Sequence, residues 1–198
     1  MGQIPMPGGW TMAAMWLPMC GQSRLAALAG FIGMWAAMMV PMMLPLAVTP
    51  LRRYRAALVG TERWRARLLT AAAGCAWAVA WTVPALPLYV AGTIVAQALL
   101  DLPALARVVP MLAVAACVAG AGWHAVSWCR RPAHALDAVR GRPAVVAALG
   151  QGARLGSHCV RRCAGMTVAM VAAGFMETGT MACAIAVVAA ESVRLRER

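Results

Sequence analysis

Between Leu25 and Thr49 the chain carries no charged side chain. A helix of that length, rising ~1.5 Å per residue, crosses a hydrocarbon core of ~30 Å. Comparable apolar runs recur at about 68–99, 104–128 and 160–190, so the sequence predicts an all-α fold, a polytopic transmembrane helical bundle of about four spans. The bundle is expected to form a single integral membrane domain over residues 1–198, led by an N-terminal interfacial Met-rich helix within residues 1–24. Composition agrees: 63% of the residues are hydrophobic and 12% charged, more apolar than a soluble core requires.

The formal net charge of +12 comes from 18 arginines, with no lysine, against six acidic residues. In a soluble protein that balance would point to nucleic acid. Here the arginines sit beside apolar runs, six of them (Arg52, Arg53, Arg55, Arg63, Arg65, Arg67) in one connection and seven more in residues 129–162. They read as topology signals that hold both connections in the cytoplasm, including a cytoplasmic loop at 129–159. Within that loop, residues 143–149 are too short to span and are expected to lie on the surface or to pack as a short piece. Four spans would leave both termini outside, while the arginines of the last eight residues favour the inside, so the side of the C-terminus stays open. Residues 1–22 do not have the form of an ordinary secretory signal, and seven cysteines, an odd number, predict mostly free thiols.

Sulfur is the chemical signature. In the first span Met34, Met38 and Met42 lie four apart and share a helix face, with Met39 and Met43 on the next. In the last span Cys159, Cys163, Met166, Met170, Gly174, Glu177 and Met181 recur at intervals of 4, 3, 4, 4, 3 and 4, again one face. The other side of that span offers Gly165, Ala169 and Ala173, a small-residue ridge for close packing. In the leader Met12, Met15, Trp16 and Met19 have helical spacing, and with Cys20 would form an outer tier of soft donors. His124, Cys129 and His158 add donors toward the cytoplasm.

Thioethers and thiolates select Cu(I), and imidazole accepts copper or zinc. The candidate metal ligands are therefore Met34, Met38, Met42, Met170, Glu177, Met181, Cys159, Cys163 and His124. Each has a plainer reading. Methionine fills gaps in cores, Cys-x3-Cys is a looser pattern than a zinc knuckle, an interfacial histidine is an ordinary polar tip, and Glu177 in a span can be protonated and bonded to Thr178 or Thr180.

The runs GGWTMAAMW, GQSRLAALAGFIGMWAAMMVPMMLP and GSHCVRRCAGMTVAMVAAGFMETGTM, followed by Glu191, resemble a bacterial family of predicted metal-binding integral membrane proteins, a domain of unknown function. That family carries a W-x2-M-x2-AMM-x-P block on an early helix and a Cys-rich start to a late one. The matching positions are Trp35, Met38, Met39, Met42, Met43 and Pro45, then Cys159, Cys163, Met170, Gly174, Met176 and Met181. The likeness covers roughly residues 8–55 and 120–191. Arg162 and Ala164 stand where the family tends to have Cys and Trp, and Glu177 replaces its usual Asn. The resemblance implies an integral membrane protein that binds metal.

Two functions fit these residues. One is a multi-pass protein of the bacterial inner membrane that binds or relays copper(I) for a partner protein or for metal homeostasis. The other is a non-catalytic structural or assembly subunit of a larger membrane complex. The expected partners are the lipid bilayer and a membrane protein or a second copy of the chain, with no nucleic acid. No nucleophile, base and orienting group recur at recognisable spacing, and no phosphate loop or dinucleotide motif appears, so an enzyme is not expected.

Overall fold

The computed structural model describes residues 3–7, 9–18, 21–129, 144–174 and 178–197. Two short strands, β1 (Gln3–Met6) and β2 (Trp10–Ala13), precede a single 3-10 turn at Ala14–Trp16 and six helices: α1 (Arg24–Ala57), α2 (Arg63–Thr82), α3 (Ala85–Asp101), α4 (Pro103–Cys129), α5 (Ala144–Gly174) and α6 (Thr178–Glu197). The architecture is helical apart from the hairpin. Three stretches, Arg24–Ala57, Arg63–Asp101 and Pro103–Ser127, are long and apolar enough to cross a membrane.

The leader departs from the interfacial helix its methionine spacing predicts. Gly9, at φ 78°, turns the chain, and β1 pairs antiparallel with β2, setting Ile4 opposite Met12 and Met6 opposite Trp10. Met6 and Met12 are buried against Ala96, Leu99 and Ala106, and the Trp10 indole donates to the Ala106 carbonyl at 2.9 Å. Trp16 lies on Gly92, where any Cβ would collide with its ring, and 5.4 Å from the Phe31 ring. The hairpin thus covers the α3–α4 corner. Burial of two methionines outweighs a short helical pattern that Pro18 already interrupts.

Helix α1 starts on Ser23, whose hydroxyl caps Ala26 N at 3.2 Å, and runs through Pro41, Pro45 and Pro50. It continues past Thr49, so Arg52, Arg53 and Arg55 ride its last turns and only residues 58–62 link it to α2. The second apolar run divides at Val83 and Pro84, because Pro84 and Pro87 withhold the backbone donors that would bond Ala80 and Val83.

Helix α5 is the largest departure. It begins at Ala144, so residues 144–149, expected as a short surface-lying or packed piece, are the first turns of a long helix and much of the expected cytoplasmic loop is helical. It wedges between α2 and α4. Gly152 and Gly156 let it approach Ala73, Trp77 and Ala80 so closely that added Cβ atoms would strike α2, and Gly165 meets Gly120 of α4 backbone to backbone. This is the small-x3-small packing used where helices gain by close approach rather than by expelling water. The last expected span is not one helix: Gly174, at φ 101°, ends α5, and α6 sets off as a separate helix.

Candidate metal centre

One row of α1 points inward. Phe31, Trp35, Met39 and Met43 follow each other every four residues and are buried, the last three completely. Trp35 donates its indole N–H to the Trp81 carbonyl of α2 at 2.8 Å, which fixes how far α1 is rotated about its axis. That rotation decides the fate of every methionine on the helix. Met39 and Met43 join the core, whereas Met34, Met38 and Met42, one position back, are half-buried and pack at its edge. The bulk of Phe31 and Trp35 in the Met39 row was the available sign that this row, not its neighbour, is the buried one.

From α5, Cys163, Met166 and Met170 enter the same core, and half-buried Cys159 packs against it. The thiols of Cys159 and Cys163 stand one turn apart on α5, close enough to influence each other. Beside Cys159 lie the indole N–H groups of Trp77 and Trp81, both buried and without an oxygen or nitrogen acceptor among the described residues. N–H dipoles that approach a sulfur are the outer partners of a metal-bound thiolate. Neither tryptophan stood out in the sequence, although their i, i+4 spacing on α2 marks an inward row.

His124 of α4 is half-buried and bonds through Nε2 to Glu191 Oε1 of α6 at 2.7 Å. Glu191 is itself buried, and among the described residues its Oε2 and the Nδ1 of His124 have no hydrogen-bond partner. The Ser127 hydroxyl reaches the His124 carbonyl at 2.9 Å and the Arg162 carbonyl at 3.0 Å, closing α4 onto α5. A carboxylate on one ring nitrogen is how metal-binding histidines are commonly oriented, and here it fixes the ring of His124 between α4 and α6.

On α6, Met181 meets the exposed side of α1. Met38, Pro41, Met42 and Pro45 face Met181, Ile185, Val188 and Ala189 across a cavity of about 360 Å³. The candidate ligands therefore fall into separate places: Met170, Cys159 and Cys163 in or against the core, Met34 at its edge, Met38, Met42 and Met181 around the cavity, and His124 on Glu191. Glu177, with Met19 and Cys20 of the supposed outer tier, lies outside the described residues. Of that tier's other members, Met12 is buried in the hairpin packing and Met15 rests on the core. Among the described residues no three His, Cys, Asp or Glu side chains converge as a metal site would need. Among the described residues the grouped soft donors are therefore a pair of thiols with thioethers nearby.

A helical bundle whose grouped donors are thiols and thioethers belongs to the class of proteins that handle soft cations. This chain belongs to the PpoB2 family, described as copper chaperone, whose model matches residues 32–198, everything beyond the hairpin and the first turns of α1. No curated protein and no solved structure matches it.

Proposed function

We propose that this chain is a membrane-embedded copper(I) chaperone, which keeps its cargo in the bundle and passes it to a partner protein. The observation that carries the reading is the Cys159–Cys163 thiol pair, one helical turn apart on α5, in and against a core shared with Met39, Met43, Met166 and Met170. Those residues fit Cu(I): soft donors, few in number, in surroundings that, among the described residues, hold no carboxylate cage for a hard ion. Cargo would be held by the two sulfurs, which give up their protons on binding, with Met170 and Met34 as neighbouring thioethers and His124 as a nitrogen donor. Glu177 completes the proposed ligand set of this site, whereas Met38, Met42 and Met181 lie apart from it around the cavity. A chaperone exchanges metal–ligand bonds and protons but leaves no substrate's covalent skeleton changed, in keeping with a non-catalytic role.

Membrane embedding is supported by the three long apolar helices and by side chains such as Val79, Ile94, Met111, Val114 and Val118, which face outward. The bacterial inner membrane is the proposed location, with the Arg52–Arg67 corner in the cytoplasm. The test is metal analysis of protein purified under reducing conditions from copper-supplied cells. About one tightly held equivalent is expected, and Cys159→Ser with Cys163→Ser should remove it. Tight copper that survives both substitutions would overturn the thiol site.

A further inference from the structure

The cavity between α1 and α6 is lined by three methionines, two prolines and otherwise only aliphatic side chains. Its methionines behave unlike those one position away. Met39 and Met43 are fully buried and fill the core as flexible side chains do, whereas Met38, Met42 and Met181 are half-buried and rim a space they leave unfilled. Two of them stand four apart on one helix and the third comes from another, so three thioethers can converge from two sides. Pro41 and Pro45 break the backbone ladder of α1 next to them, which lets Met38 and Met42 shift locally without unwinding the helix.

We propose that Met38, Met42 and Met181 form a second, exchangeable Cu(I) site, distinct from the thiol pair, through which cargo enters or leaves the bundle. This rests on the copper-chaperone reading but not on the Cys159–Cys163 site. Three neutral thioethers bind Cu(I) without releasing protons and less tightly than thiolates do, as a transfer site requires. The half-exposed rim gives a partner's ligand access to the ion, whereas Cys163 is closed off in the core.

The experiment is Cu(I) titration of the purified full chain in detergent against a chromogenic Cu(I) chelator. About two equivalents are expected, one tight and one weak. Combining Met38→Leu, Met42→Leu and Met181→Leu should remove the weak equivalent and spare the tight one, while Cys159→Ser with Cys163→Ser should do the reverse. An independent reading comes from the unsubstituted chain grown with selenomethionine. X-ray absorption should show copper–selenium scattering grow as the second equivalent is added. A weak equivalent that survives the triple substitution, or a second equivalent without copper–selenium scattering, overturns the groove site. A chain that takes up one equivalent only, its groove filled by a lipid tail, overturns it as well. Loss of the tight equivalent's dependence on the cysteines sinks the thiol site alone.

Discussion

The two sulfur regions of this molecule use the same side chain for opposite ends. Around Trp35, methionine is filler: Met39 and Met43 are sealed between α1, α2 and α5 and contribute by packing. Across α1 from them, Met38 and Met42 line an open cavity with Met181. Nothing in residue type or spacing separates the two pairs. What separates them is the rotation of α1, set by the Trp35–Trp81 hydrogen bond and by aromatic bulk at Phe31 and Trp35. Which methionines line the cavity follows from how far α1 is turned.

The largest effect should come from the scaffold that keeps the buried region closed. A side chain at Gly152 would run into the Ala73 backbone, which has no rotamer to change. Gly152→Val should separate α5 from α2, cost about 3 kcal/mol or more, and scatter Cys159 and Cys163 from Trp77 and Trp81. Size-exclusion behaviour and copper content of the purified variant should fail together. A monodisperse Gly152→Val protein with full copper would show that the buried region does not depend on this contact.

Next in size is the contrast inside α1. Met39→Ala empties a fully buried position and should cost about 2–5 kcal/mol in reversible unfolding from detergent micelles. Met38→Ala, on the cavity rim, should cost less than about 1 kcal/mol. Equal costs would erase the distinction between filler and rim.

Much of this was legible in the residues, and what was not has physical causes. The apolar stretches that become α1, α2 with α3, and α4 announce themselves by lacking charge. Helix α5 does not, because Arg154, Arg161 and Arg162 depress its hydropathy while its stability comes from glycines touching backbones far away in sequence. The break at Gly174 was hidden because the donor face reads on across it, from Met170 through Gly174 to Met181, as though the helix never stopped. Cys159 and Cys163 were legible as a pair because i, i+4 spacing suffices to bring two thiols together on one helix. Which methionines are inside was signalled only by the aromatic bulk of Phe31 and Trp35 in the Met39 row, since a helix without charges has no polar side to set against an apolar one. The partnership of His124 with Glu191 joins positions 67 apart and leaves no local pattern.

That partnership yields the smallest effect and the finest test of how independent the two regions are. Glu191 sits on α6, the wall of the cavity that carries Met181, and ties it to α4 through His124. Glu191→Ala removes the acceptor and leaves a half-buried imidazole unpaired, yet hydrogen bonds between helices in a membrane average only about 0.6 kcal/mol, so about 1 kcal/mol is expected. Glu191→Gln offers its amide oxygen to the same Nε2–H and should stay within about 0.5 kcal/mol of the unsubstituted chain. If the tie holds the cavity wall in place, Glu191→Ala should weaken the methionine-bound equivalent several-fold and leave the thiol-bound one unchanged, because Cys159 and Cys163 are positioned by α2 and α5. Equal weakening of both equivalents would mean that the carboxylate supports the whole bundle, or that His124 serves the thiol site directly. Glu191→Gln as damaging as Glu191→Ala would show that the charge, and not the hydrogen bond alone, holds α6 against α4.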